Sequence, residues 1–399
     1  MGWNSGKPPH IAHVSLTLCA IFTNLPLMVW NWQTPQWPNW VWNEAKLREH
    51  EQANLLQAGK LIGIWSHLAS DDRDLAKIEL LTNEAMRTSA IEGEILERAS
   101  VQSSMRRQFG LTADRRSGAA ESGIAEMLAD GFLTWHEPLS AQSLFAWHRK
   151  VCRGRDDMSD IGQWRSQGDP MQVVSGPYQK LRVHFEAPPA PTMPVHMAAF
   201  INWFNQTAPN GSHPLPALTR AGLAHLYFVT IHPFEDGNGR IARALAEKAL
   251  AQAIKAPNLA ALSTEIERKR NGYYAALETN NKTMEVTEWL VWFAEIVSAA
   301  QNSSERLIVH FVEKTQMLDR LRGAINARQM RALIRMFDEG PDGFIGGLSA
   351  KNYMTITDTL PATARRDLGE LVLLGALTRT GQNKGTRYWL ARPQAAPSG

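Results

Sequence analysis

Twelve contiguous residues, His232-Pro233-Phe234-Glu235-Asp236-Gly237-Asn238-Gly239-Arg240-Ile241-Ala242-Arg243, constrain the fold and chemistry of the chain more than any other segment. A helical pattern over 215–231 ends at the histidine, a loop with two glycines follows, and a new helical pattern begins at Gly239 and runs through 241–254. Glycines let a backbone approach a ligand closely and adopt positive φ. Free N–H groups at a helix N-terminus, with the helix dipole behind them, make an anion site suited to phosphates. Arg240 and Arg243 are one turn apart and offer forked donors to the same side. Asp236 supplies a hard oxygen for Mg²⁺, which prefers one or two carboxylates plus substrate phosphates and water. His232 is the one group in the segment whose ordinary pKa suits it to take a hydroxyl proton near neutral pH. Base, metal ligand, anion loop and arginines together describe a phosphoryl-type transfer site. The chain has no G-x-x-x-x-G-K-[ST] loop and no kinase signature set, so phosphate binding falls to this loop.

The frame around this segment is that of a globular protein. At 399 residues, with 44% hydrophobic and 20% charged residues, the chain is long enough for two or three domains. Two cysteines, Cys19 and Cys152, make neither a zinc cluster nor a secreted disulfide framework. The apolar run 14–22 is too short to span a bilayer, which takes about 20 residues. It also lacks the basic flank and the cleavage site of a signal peptide. Residues 1–27 are therefore expected to form a poorly structured extension, with Met28 an alternative start, in a cytoplasmic protein without a membrane partner. Seven of the fourteen tryptophans precede residue 66. Trp30 and Trp32 alternate as in a strand, Trp40 and Trp42 lead into a helical pattern, and the cluster as a whole reads as a packing surface.

Helical spacing recurs over Leu75–Leu96, and again after Pro138 and Ser140 through Leu144, Trp147 and His148. The stretch 161–191 is not helical, and its strand-like Met171–Ser175 predicts a short hairpin or flap. Further helices are expected at Met197–Phe204, Glu265–Glu278, Val286–Ala300, Arg320–Phe337 and Pro361–Leu374. His225 lies seven residues before His232, on the same helical face, and without further ligands reads as a core histidine.

HPFEDGNGRIAR matches every specified position of the Fic family motif, HxFx[D/E]GNGRxxR, and the resemblance extends over about 138–298. The family is all-helical, and most members transfer AMP from ATP to a hydroxyl of a target protein. The resemblance implies that His232 is the base that deprotonates a target Ser, Thr or Tyr, and that Asp236 is the Mg²⁺ ligand. Gly237, Asn238 and Gly239 would form the anion loop, continued by Ile241 and Ala242, with Arg240 and Arg243 clamping phosphate. Gly239, where phosphate-transferring members carry Lys, favours AMP transfer. Ser175, Gly176, Pro177 and Tyr178, at the end of a segment similar to the family's target-pairing flap, would lie near the nucleotide. Tyr273 and Tyr274 resemble the family's paired aromatics at the adenine, against a core-packing alternative, and Asn281 resembles a base or ribose contact.

Thr88-Ser89-Ala90-Ile91-Glu92-Gly93 matches the family's inhibitory pattern, [S/T]xxxE[G/N]. Thr88 and Glu92 are i and i+4 on one helix face, and Gly93 suits a C-cap. The resemblance implies that Glu92 pairs with Arg243 and leaves ATP in a pose unfit for attack. The Trp-rich region resembles an uncharacterised domain that often precedes such cores.

The expected fold is mainly α: an all-helical Fic core (138–298) with a short β-hairpin flap, a Trp-rich helical N-terminal domain (28–115) carrying the inhibitory helix, and a C-terminal winged helix (317–392). The last segment holds twelve Lys and Arg against seven Asp and Glu, although the whole chain carries only +3. Arg365 and Arg366 fall in its recognition helix, and Arg379, Lys384 and Arg387 in its wing, the outline of either a DNA-binding or a protein-contacting module. The function expected is an autoinhibited protein adenylyltransferase using ATP and Mg²⁺. The alternatives are a nucleotide-sensing DNA-binding regulator and a de-AMPylating hydrolase built on the same site. A homodimer is an option that the resemblance leaves open.

Overall fold

The computed structural model describes residues 10–13, 29–113, 115–168, 170–176 and 182–391, and α-helices dominate it. They fall into two compact units, Met1–Ile62 with Lys77–Asn302 and Gly63–Ala76 with Ser303–Gly399. The expected boundary between 28–115 and 138–298 is not a boundary between these units. One hydrophobic core runs from Trp40 and Leu47 through Ile91, Trp147 and Phe200 to Ala300, so the Trp-rich segment folds onto the motif-bearing helices.

The first unit is organised on α7 (Ala217–Ile231) and α8 (Asn238–Ile254), which flank the motif loop and are buried along nearly their whole length. A helix buried on every side must be wrapped by others. The wrapping comes from α4 (Ala119–Leu133), α5 (Ala141–Val151), α6 (Met193–Gln206) and the start of α11 (Thr287–Arg320). α1 (Glu44–Ser66), α2 (Ser70–Ile91) and α3 (Arg98–Gln108) precede them in the chain. Trp37 meets Tyr227 of α7 edge-on at 5.1 Å and Trp40 at 5.3 Å, so the tryptophan cluster packs as expected.

Two local expectations change. Residues Asn31–Gln33 form a 3₁₀ turn, not a strand, because the Asn31 N–H donates to the Asn281 carbonyl at 2.9 Å instead of to a strand partner. Glu265–Glu278 is interrupted at Lys269 (φ −108°, ψ 30°) and divides into α9 (Leu262–Arg268) and α10 (Arg270–Asn280).

The flap is a hairpin of β2 (Met171–Ser175) and β3 (Arg182–Glu186), with a register shift between Val173 and Val174. Its free edge takes a third strand, β1 (His10–His13), antiparallel, with His10 opposite Val174 and His13 opposite Met171. The segment 1–27, expected to be poorly structured, therefore contains a paired strand, because an exposed β edge offers unpaired backbone groups to any extended segment within reach. Trp30 packs edge-on against Phe185 at 5.4 Å, and the Trp32 indole donates to the Glu186 carbonyl at 2.7 Å, which anchors β3.

In the second unit α12 (Ala327–Phe337), α13 (Ala350–Thr357) and α14 (Pro361–Leu373) precede an antiparallel pair, β4 (Leu377–Thr380) and β5 (Arg387–Leu390). The expected helix Arg320–Phe337 is broken between α11 and α12. Gly323 takes φ +78° there, and the Asn326 side chain caps α12. Leu333, Phe337, Tyr353, Leu368 and Leu371 form a separate core. Buried Asp367 accepts from Tyr353 and Arg328, both at 3.0 Å. Arg365 and Arg366 on α14 and Arg379 on β4 are exposed. No helix among the described residues is long and apolar enough to cross a membrane.

Candidate active site

α7 ends by carrying His232 into the left-handed region (φ 52°, ψ 59°), a conformation uncommon for a residue with a side chain. Gly237, also left-handed at φ 79°, begins α8. Between them the Asn238 amide spans the loop, accepting from the Phe234 N–H at 3.0 Å and donating to the Phe234 carbonyl at 2.8 Å. Asn238 thus shapes the loop from within. A variable position of the motif is also used. Glu235 accepts from the backbone and hydroxyl of Ser159, the backbone of Asp160 and the Gln167 amide. Phe234 stacks on His148 with ring centroids 4.0 Å apart.

The His232 ring is buried, and its Nδ1 faces the Val229 carbonyl at 3.2 Å. A carbonyl only accepts, so Nδ1 carries the proton and Nε2 presents a lone pair. Nε2 is buried with no hydrogen-bond partner among the described residues. Burial pushes the imidazole down to about 4, and the Arg165 guanidinium adds to the effect. Arg165, which sequence reasoning missed, donates through Nε to the His232 carbonyl at 2.8 Å and through its backbone to the Pro233 carbonyl at 2.9 Å. It holds the base in place from 67 residues away, and no local pattern marks it.

Around Nε2 lies a cavity lined by Glu92, His232, Asp236, Asn238, Gly239, Tyr273, Tyr274 and Asn281, together with Val173, His184 and Glu278. The structure thus brings eight of the expected residues around one cavity. Ile241 and Ala242 are fully buried in the first turn of α8, behind the loop. Ser175 ends β2 and Gly176 follows it; neither is among the residues lining the cavity, which Ser175 meets through His184 at 2.6 Å, whereas Pro177 and Tyr178 lie outside the described residues. The Tyr273 hydroxyl meets His225 Nε2 at 3.1 Å, and Tyr274 donates to the Ile91 carbonyl at 3.0 Å. Both tyrosines therefore pack structurally while lining the cavity, and His225 is the core histidine expected. Asn281 donates to the His184 carbonyl, and its Oδ1 is a buried acceptor with no partner among the described residues.

α2 closes the site from the other side. Arg243, 1% exposed, donates through Nε to the Thr88 hydroxyl at 2.8 Å and through Nη2 to the Thr88 carbonyl at 3.0 Å. Nη2 also reaches Glu92 Oε1 at 2.8 Å. Gly93, at φ 86°, turns the chain after α2. Arg270 and Tyr274 both hold the Ile91 carbonyl, pinning the end of the helix. A Cβ on Gly239 would stand 2.2 Å from Glu92 Oε1, so the Glu92 carboxylate lies directly over the anion loop. One turn below Thr88, buried Glu84 contacts half-buried Glu247 of α8, and burial raises both carboxyls.

Sequence reasoning also missed Glu94. The turn at Gly93 brings its carboxylate to Arg240 Nη1 at 2.8 Å, so both motif arginines are engaged by acids from the same segment. Glu94 is about a third exposed, and such a pair is worth ~1 kcal/mol. If the site binds phosphate, Glu94→Ala is expected to tighten ATP binding about fivefold, measured by titration calorimetry. An unchanged affinity would mean that Arg240 does not meet the nucleotide.

Asp236 is the group suited to a divalent cation. Burial opposes its ionisation, yet Arg240, the Gly237 N–H and Arg155 together hold its carboxyl below the ordinary range. Its oxygens face Arg155 Nη1 at 2.6 Å and Arg240 Nη2 at 3.4 Å, positions where positive charge already sits. Among the described residues no group of three or more His, Cys, Asp or Glu forms a dedicated metal cluster. A single ionised carboxylate beside an anion loop fits Mg²⁺, which completes its shell with phosphate and water.

Residues 138–250 match the model of the Fic/DOC family, and residues 30–111 match a domain of unknown function (DUF4172). Residues 138–250 thus resemble the Fic/DOC family. It is 26% identical over 220 residues to "Protein adenylyltransferase Fic" of Drosophila mojavensis, covering 54% of this chain and 40% of that protein. With "Protein adenylyltransferase fic-1" of Caenorhabditis briggsae it shares 29% identity over 147 residues, 37% of this chain and 25% of that one. The chain thus spans less than half the length of these relatives. Among solved structures, a Fic family protein from Desulfovibrio desulfuricans aligns over 87% of this chain and 97% of its own, at TM-score 0.49 and 20% identity.

Proposed function

We propose that this chain is a protein adenylyltransferase that transfers AMP from ATP to a hydroxyl of a target protein and is held inactive by its own α2. One observation carries the reading. The second motif arginine, Arg243, is buried and pinned to Thr88 and Glu92, while His232, which lines the cavity with Glu92, keeps its proton-accepting nitrogen without a hydrogen-bond partner among the described residues. A base free to act beside a phosphate clamp that is blocked is the arrangement of a restrained transferase.

In the active form Glu92 withdraws and Arg243 turns to the phosphates. The backbone N–H groups at Gly237–Gly239 and the guanidinium of Arg240 hold the phosphoryl oxygens. Asp236 would hold Mg²⁺, which neutralises charge developing on the departing pyrophosphate. His232 Nε2 takes the target's hydroxyl proton, and Arg165 keeps the ring oriented and neutral. Tyr273, Tyr274 and Asn281 form the wall against which the adenosine is placed.

Incubation with labelled ATP and Mg²⁺ tests the reading. Incorporation that requires His232 supports it, and none in either the wild type or Glu92→Gly would overturn it. A second reading, a regulatory contact with duplex DNA, is supported by the helix-helix-helix-hairpin order of 327–390 and by exposed Arg365, Arg366 and Arg379. It requires salt-sensitive duplex binding by the full chain, weakened by the double variant Arg365→Ala/Arg366→Ala.

A further inference from the structure

Arg155 touches the active site and has no part in the transfer mechanism. It follows α5 in a tight turn: its backbone N–H donates to the Cys152 carbonyl at 3.1 Å, and Gly154 before it takes φ 85°. Asp157, two residues on, accepts from Arg155 Nε and Nη2, both at 2.7 Å, so a carboxylate of the same loop holds the fork of the guanidinium. The remaining nitrogen, Nη1, reaches a residue 81 positions along the chain, donating to Asp236 Oδ2 at 2.6 Å. The other Asp236 oxygen, Oδ1, accepts from the Gly237 N–H at 2.5 Å and faces Arg240 Nη2 at 3.4 Å. Donors of this chain thus meet both oxygens of the carboxylate. Asp236 lines the cavity; Arg155 does not, and it approaches that carboxylate from the loop after α5.

We propose that Arg155 is a built-in competitor for the divalent cation at Asp236, which lowers the affinity of that carboxylate for Mg²⁺ until a nucleotide brings phosphate charge. The proposal rests on the reading of Asp236 as the Mg²⁺ ligand of an ATP site. A cation that binds Oδ2 must displace Nη1, and the displaced guanidinium stays close because Asp157 still holds its fork. Like charges this near repel even at the effective dielectric of a protein surface. Mg²⁺ dehydrates reluctantly, so a single carboxylate already paired with a cation is a poor site for it. Phosphates add negative charge and further oxygens, and with them the balance passes to the metal. Arg155 in this way makes metal binding conditional on nucleotide. The pair is partly exposed on both sides, 41% for Arg155 and 28% for Asp236, which limits the competition to about fivefold in affinity.

ATP binding by the full-length Glu92→Gly variant is measured by titration calorimetry with EDTA and again with excess Mg²⁺. The ratio of the two affinities is the strengthening due to the metal. Arg155→Gln in the same background removes the charge at a partly exposed position and keeps a polar side chain. The expected result is a ratio about fivefold larger than in the parent. Arg153→Gln is the control, because it removes the same charge two residues away, from an arginine paired with Glu126. Its ratio should equal the parent's. An equal rise in both variants would reduce the effect to overall charge and overturn the proposal. An unchanged or smaller ratio in Arg155→Gln overturns it as well, and the proposed function survives either result. Mg²⁺ without effect on ATP affinity in parent and variants alike overturns the proposal and takes the metal from Asp236. No ATP binding in any of the proteins overturns the proposed function with it.

Discussion

Glu92→Gly is expected to raise the rate of adenylyl transfer about 100-fold, equivalent to ~2.7 kcal/mol of barrier. Arg243 is 1% exposed, and α2 with the turn after it takes three of its hydrogen bonds: the Thr88 hydroxyl, the Thr88 carbonyl and Glu92 Oε1. Nη1 is already buried without a partner among the described residues. Removing the carboxylate leaves a buried guanidinium with its charge uncompensated, a state that costs about 3–5 kcal/mol when one partner of a buried pair is deleted. A phosphate oxygen relieves that cost, so the variant binds ATP more tightly and in a different pose. The same deletion clears the space above Gly239, where Glu92 Oε1 now stands. Loss of stability cannot imitate the result, since an unfolding enzyme loses activity. Transfer rates for the two proteins under saturating ATP check it, and equal rates would remove Glu92 from control of the site.

His232→Ala, made in the Glu92→Gly background, is expected to slow transfer by about 10²–10⁴-fold while ATP still binds. Nε2 is the buried lone pair facing the cavity, and no second imidazole there is free to replace it, because His184 is engaged with Ser175 and Glu278. The pH dependence carries a sign that identifies the group. Burial favours the neutral ring and sets His232 at about 4, so the proton-accepting form prevails above that pH. Activity dependent on His232 should therefore stay level from neutral pH down to about 5 and fall as pH drops through about 4. A limb near the ordinary histidine value of about 6.5 would show that burial does not govern the base. A His232→Ala rate within tenfold of its parent would exclude the ring from proton transfer.

The chemistry was legible because it is contiguous. Base, carboxylate, glycines and both arginines fall within His232–Arg243, and a helix–loop–helix read from periodicity is enough to bring them together. The i, i+4 spacing of Thr88 and Glu92 likewise survives translation into space, since a helix face is a local property. Reading was poorer where distant atoms decide local form. Trp30 and Trp32 alternate like a strand, yet the Asn281 carbonyl draws Asn31 into a 3₁₀ turn. Arg320–Phe337 has unbroken helical spacing, yet Gly323 and the Asn326 cap end one helix and begin another. Arg165, Glu235, Glu94 and the Ser175–His184–Glu278 contacts have no signature, because their partners lie between 9 and 146 residues away.

By itself, then, the sequence determined which functional groups this protein has and on which helices they ride, because those facts follow from residue identity and a period of 3.6. Tertiary structure decided which atom of each group faces the cavity. The tautomer of His232 is set by the Val229 carbonyl, the state of Arg243 by a helix some 150 residues earlier in the chain, and the charge of Asp236 by Arg155 and Arg240. Hydrogen bonding and burial act through distance in space, and sequence spacing carries that distance only within a single helix turn.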